Sequence, residues 1–178
     1  MKDRIPKQNI QKIYDSGESF MESDLSAMDL TDITLIGIDF SHMDLRYTDF
    51  SKSTLESVNF QGCNLGGANF SGSFLKNVNF NNGDLRWTQL VNVNCDSTSF
   101  DKVAALESNF NYAVLNDLIM TESDFRRSTF VGSSIVNVNY SETNLAMSNF
   151  TNSKMSYVTF DNANTYGIIL PAADEIKL

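Results

Sequence analysis

Residues 58–85 read VNFQGCNLGGANFSGSFLKNVNFNNGDL. Phe60, Leu65, Phe70, Leu75, Phe80 and Leu85 stand five residues apart, and two residues before each comes a second set: Val58, Cys63, Ala68, Ser73, Val78 and Gly83. The register runs without a slip from Phe20 to Leu170. Of its 31 positions 24 are Leu or Phe, and they take 12 of the chain's 13 Phe, so the period belongs to the whole chain. Neither a helix of period 3.6 nor a free strand of period 2 can place every fifth residue, and the residue two before it, on one side. A chain that turns a corner every five residues can.

A second period sets the number of sides. Residues stacked on a four-sided coil recur every 20, and Phe20, Phe40, Phe60, Phe80 and Phe100 form one such column while Leu35, Leu55 and Leu75 form another. Cys95, Ala105 and Thr165 are the small or polar exceptions among the central residues. Asp or Asn is common between the two inward sets, as in Asp44, Asp49, Asn59, Asn64, Asn69 and Asn79, which predicts Asn ladders along the stack.

The units GANFS, SNFNY, ETNLA and MSNFT resemble those of the pentapeptide-repeat family, and the resemblance covers residues 18–170. It implies an all-β fold, a right-handed quadrilateral (four-sided) parallel β-helix solenoid of about 7.5 coils, roughly 36 Å long at one strand spacing per coil. A solenoid needs covered ends. Residues 1–17 read as a short helical N-terminal cap, with Pro6 in the first turn, Ile10, Ile13 and Tyr14 on one face and Gly17 ending it. Residues 171–178 read as a C-terminal tail or short cap, leaving a monomer or a homodimer joined through that end.

The net charge of −9 disfavours direct nucleic-acid binding. Acids gather at one end: residues 15–56 carry a net −8, with Asp24, Asp29, Asp39, Asp44 and Asp49 as the candidate acidic surface, and residues 57–170 carry −3. Cys63 and Cys95 fall at inward positions far apart, as expected of buried thiols in a reducing compartment. No apolar run reaches the length of a membrane span, and residues 1–17 lack the apolar stretch of a secretory signal. The expectation is a cytoplasmic, bacterial protein, with secretion as an effector left open.

Nothing in the sequence converges on catalysis, a metal or a cofactor. His42, the only histidine, falls at an outward corner, and there is no phosphate loop or nucleophile elbow. Two features stand out. Arg46, Arg86 and Arg126 differ by 40 residues in the units DLRYT, DLRWT and DFRRS, so with Tyr47, Trp87 and Arg127 they mark one edge, and each Arg has an Asp two residues before it. That edge is either solvated salt bridges or a contact surface, since Arg, Trp and Tyr are favoured anchors. The second feature is apolar outward residues, Phe74, Ala104, Leu106, Val114 and Ile119, with Tyr112: a local distortion of the coil or an exposed patch.

These features describe a non-enzymatic, rigid protein–protein interaction module that docks on a protein partner. The family resemblance implies an alternative, an acidic DNA mimic that binds the type II topoisomerases DNA gyrase and topoisomerase IV and protects them from quinolones or toxins.

Overall fold

The computed structural model describes residues 5–18, 20, 23–173 and 176–177; residues 1–4 of the expected cap, Glu22 of the acidic end, and residues 174, 175 and 178 of the tail lie outside the described residues. Every five residues the chain turns, and it does so by left-handed backbone at the second residue after each centre, as at Tyr47 (φ 60°), Trp87 (φ 61°) and Arg127 (φ 58°). That conformation costs an L-residue about 1 kcal/mol, and here it recurs at almost every corner because the stacked coils hold it in place.

Seven short strands stack on one side, β5 and β6 running on round the corners at Asp117 and Asn137 to the next: β1 Thr34–Ile36, β2 Thr54–Glu56, β3 Phe74–Lys76, β4 Asn94–Asp96, β5 Val114–Ile119, β6 Ser134–Asn139 and β7 Lys154–Ser156. Each pairs parallel with the next in a register of 20, as in Leu35↔Leu55↔Leu75↔Cys95↔Leu115↔Ile135↔Met155. Isolated parallel bridges do the same on the other three sides. The longest column runs Asp29↔Asp49↔Asn69↔Gln89↔Asn109↔Thr129↔Asn149↔Ile169, which is seven full turns of a parallel β-solenoid.

The central residues point inward and fill the rod. Phenylalanine occupies two opposite walls: Phe60, Phe80 and Phe100 stack at 5.2 and 4.9 Å on one, and Phe110, Phe130 and Phe150 at 4.9 and 4.5 Å on the other. Across the interior the two walls meet edge to face, with Phe70 and Phe80 at 5.5 Å and 86°, the arrangement the ring quadrupole favours. Most buried hydroxyls of the second inward set bond main-chain carbonyls, for example Thr48 Oγ1 to Leu25 O and Ser128 Oγ to Ala105 O. Ser108 Oγ pairs instead with Ser128 Oγ, and among the described residues Tyr140 Oη, from the central set, and Ser153 Oγ are buried without a hydrogen-bond partner.

The coil is not distorted around residue 105. The register Asp84↔Ala104↔Asp124 continues through it, and the small Ala105 is followed in its wall by the large Phe125, whose ring lies edge-on to Phe110 at 5.9 Å. Volume is exchanged between neighbouring coils, and the outward residues stay outside.

A 3₁₀ turn, Lys7–Asn9, leads into helix α1, Ile10–Asp15, over the first coil. Ile10 is fully buried, and Ile13 and Tyr14 pack on the core. The Gln11 side chain accepts from Ile36 N at 3.0 Å, standing where a further strand would pair with β1. At the other end β8, Ile176–Lys177, pairs parallel with β7 through Met155↔Ile176, one residue out of the 20-residue step, while Ile169 and Leu170 are about half exposed.

Candidate functional site

On the side centred on Leu45, Leu85 and Phe125, the residue before each centre and the one after it both face solvent, so Asp and Arg two apart become neighbours. The three units adopt one geometry. Arg46 Nε donates to Asp44 Oδ1 at 2.9 Å and Nη2 to Oδ2 at 2.7 Å; Arg126 repeats this with Asp124 at 2.8 and 2.7 Å, and Arg86 binds Asp84 through the same two atoms. These forks are bidentate, the strongest form of the pair. The Arg86 bonds hold the Asp84 carboxyl below the usual carboxylate range against the opposing effect of burial; at Asp124 burial acts upward and the Arg126 bonds outweigh it. Each guanidinium is about half exposed, with one side of its fork occupied and its charge matched.

Between these coils the ion-pair positions are uncharged, Asn64 and Gly66, then Ala104 and Leu106, then Asn144 and Ala146, while the corner position holds Gly67, Glu107 and Met147 in turn. The edge therefore alternates every coil, with Asp–Arg ridges two coils apart, about 9.6 Å at one strand spacing per coil. Side chains of the adjoining corner lie along the rod toward the next coil. The Tyr47 ring covers Gly67, where a Cβ would meet it at 2.6 Å, and Trp87 Nε1 donates to Glu107 Oε2 at 3.2 Å. Glu107 also meets Arg127 at 3.5 Å, and the Arg86 guanidinium lies 5.4 Å from the Trp87 ring centroid. Tyr47 is 69% and Trp87 50% exposed, so both rings keep a solvent face.

The apolar residues separate. Phe74 and Val114 project from the β-strand side with Asn94 between them in the column, and Tyr112 adjoins them at the corner with its ring over Gly132. Ile119 lies on the next side in the column of Ser99 and Asn139, and Leu106, half buried, belongs to the arginine edge. Sequence position alone suggested one patch; the coil distributes its members over three sides.

The acids encircle the first coils. Asp24 and Asp44 lie on the arginine side, Asp29 and Asp49 on the side after it and Asp39 on the side before it, and Asp44 is engaged by Arg46. Two of them begin amide ladders. Asn79 Nδ2 donates to Asn59 Oδ1 and Asn59 Nδ2 to Asp39 Oδ1, at 3.1 and 3.0 Å, and Asn69 Nδ2 donates to Asp49 Oδ1 at 3.1 Å. Every ladder donates toward the N-terminal end, so its first member only accepts and a carboxylate suits it. Backbone bonds from Thr31 to Asp29 and from Ser41 to Asp39 hold both carboxyls below their usual range. His42 is exposed at a corner, with its ring against Gly62. Cys63 and Cys95 are free, buried thiols; burial pushes the Cys63 thiol up to about 12 and Cys95 up as well, which makes poor nucleophiles of both. Among the described residues no group of three or more His, Cys, Asp or Glu is placed to hold a metal, and no helix is long and apolar enough to cross a membrane.

This architecture, five-residue units coiling four to a turn around Leu and Phe, defines a β-solenoid class. A family model described as a pentapeptide repeat region matches residues 8–70, and one described as pentapeptide repeats in eight copies matches residues 59–94. The chain belongs to the pentapeptide-repeat family. It is similar to a pentapeptide repeat protein from the thylakoid lumen of Arabidopsis thaliana, at 28% identity over 53% of this chain with a TM-score of 0.52, and it covers 66% of that relative's length. It is also similar to HetL, a pentapeptide repeat protein involved in heterocyst differentiation regulation in the cyanobacterium Nostoc (15% identity, 94% of each chain, TM-score 0.39). A third likeness is to QnrB1, a plasmid-mediated fluoroquinolone resistance protein (15% identity, 84% of this chain and 86% of that one, TM-score 0.43). No curated protein sequence matches the chain.

Proposed function

We propose that this protein is a rigid, non-enzymatic binding rod whose recognition surface is the arginine edge. The observation that carries this is the threefold repetition of one bidentate Asp–Arg geometry beside exposed Tyr47 and Trp87. Solvated ion pairs contribute little to stability, and solubility does not require that three of them share one orientation at one spacing. Aromatic and Arg side chains held by neighbours lose little freedom on binding, which is the property of interface anchors. The test is site-specific photo-cross-linking in the cells that make the protein. A photoreactive residue at Leu106, on the edge, should give a discrete adduct, and one at Asn109, one side away, should not; equal yields would sink the assignment.

The acidic end favours a second reading, a surface that competes with DNA for a basic partner such as a type II topoisomerase. Its charge is concentrated within the first coils and encircles them, rather than following the rod. Supercoiling by purified DNA gyrase, with and without a quinolone, tests it: dose-dependent inhibition or protection supports mimicry, and no effect at micromolar protein removes it.

A further inference from the structure

Resting on the reading of the arginine edge as a binding surface, we infer that its occupant is a proline-rich segment in the polyproline II conformation. Three features of the edge select it. The first is the repeat. Arg46, Arg86 and Arg126 recur every two coils, about 9.6 Å, and Tyr47 and Trp87 recur with them, Arg127 taking the third place. A polyproline II helix brings the same side chain round every third residue, about 9.3 Å. Over two repeats the mismatch is about 0.6 Å. An α-helix returns to one face after seven residues, about 10.5 Å, and drifts by about 1.8 Å over the same span. A β-strand repeats at about 6.8 Å and falls out of step at once.

The second feature is the state of the guanidiniums. Asp44, Asp84 and Asp124 already neutralise them through Nε and Nη2, so what each Arg offers a partner is N–H donors with matched charge. Such donors suit neutral carbonyls better than a second carboxylate, which would be repelled by the first. Polyproline II is the regular conformation with no internal hydrogen bonds and a full set of free carbonyls. In an α-helix those oxygens are consumed.

The third is the aromatic surface. Tyr47 and Trp87 are pinned along the rod by Gly67 and Glu107 with one face outward, which is how aromatic grooves receive proline rings. Gly66 and Ala146 on the intervening coils leave room for the ligand's backbone, with half-buried Leu106 between them as an apolar contact. The direction of the bound segment follows from charge. Tyr47 is the aromatic member of the edge toward the acidic end, one coil from Asp24 and Asp29, so a Lys or Arg flank on the ligand belongs there.

Trp87 is the only tryptophan, so its emission reports this edge directly. Full-length protein is titrated with three synthetic peptides: one with proline at every third position and an Arg flank, one of the same composition with proline at every fourth, and an amphipathic helical peptide with apolar anchors seven residues apart. The expected result is a saturable change in Trp87 emission with the first peptide and binding roughly tenfold weaker with the second, one to two hydrogen bonds' worth. Arg86→Met with Arg126→Met should weaken the first peptide by a similar factor while circular dichroism stays unchanged. Equal binding of the first two peptides, tighter binding of the helical one, or no response to any would overturn the inference. The cross-link from position 106 separates the two levels: an adduct there with silent proline peptides removes the polyproline II occupant and keeps the edge as a binding surface, and loss of both removes both.

Discussion

Replacing Tyr140 with Phe should make this protein more stable. The side chain is fully buried, its ring stacks on Phe160 at 5.5 Å and meets Phe130 and Phe150 edge-on at 6.1 and 6.0 Å, and its hydroxyl has no hydrogen-bond partner among the described residues. Burial alone pushes the phenol pKa upward, as expected of a hydroxyl in a wholly apolar setting. An unpaired buried hydroxyl costs about 1–3 kcal/mol, and the void left by one oxygen returns only a few tenths of that. A net gain of about 1–2 kcal/mol, for a cooperative unit of this size, raises Tm by about 3–6 °C. Urea and thermal denaturation followed by circular dichroism measure it. The reciprocal change, Phe100→Tyr in the same wall, should cost about as much. An unchanged or lowered Tm for Tyr140→Phe would mean that the hydroxyl is satisfied in solution.

Three further outcomes follow from the same structure. Gly67→Ala should cost about 1–2 kcal/mol, from left-handed strain at φ +70° and from displacement of the Tyr47 ring; in a Tyr47→Ala background only the strain should remain, a difference that a double-mutant cycle in urea reads. Asn79→Asp should cost about 1–2 kcal/mol by turning a donor to Asn59 into a repelled acceptor, whereas Asp39→Asn, at the start of the same ladder, should stay within about 0.5 kcal/mol in the same assay. Both buried thiols have folded pKa values raised by burial, so their contribution is whole below about pH 8.5, where the unfolded thiols keep their protons, and is lost as pH rises toward the folded value of about 12 for Cys63. The urea midpoint should therefore fall between pH 8 and 10, by the equivalent of roughly 2–4 kcal/mol, and a Cys63→Ala, Cys95→Ala variant should show most of that slope removed.

The solenoid and its register were legible because one residue in five is a Leu or Phe, and no other backbone path brings those residues together. The pairing of Asp44 with Arg46, and of its two counterparts, was legible for a related reason: residues flanking an inward centre must both face out. Less visible was the second phenylalanine wall, whose column starts at Leu30 and is interrupted by Leu90. The apolar residues from 104 to 119 looked contiguous in the chain, but a coil that turns every five residues sends neighbours in sequence to different sides. Left-handed corners are usually signalled by Gly or Asn, and at Tyr47, Trp87 and Arg127 that signal is absent because stacking supplies what intrinsic preference lacks. The Gln11 amide that closes the edge of β1 has no sequence signature either. It depends on where the cap happens to lie.

Recognition by the arginine edge is tested with two variants whose circular dichroism should match that of the unaltered chain: Arg86→Ala with Trp87→Ala on the edge, and Asp24, Asp29, Asp39 and Asp49→Asn at the acidic end, Asp44 being spared because it holds Arg46. Each is used to retain partners from lysate of the cells that make the protein, alongside the unaltered chain. The edge variant should lose the retained protein and the acidic variant should keep it. Retention by the edge variant together with loss by the acidic one would move recognition from the arginine edge to the charged end of the rod.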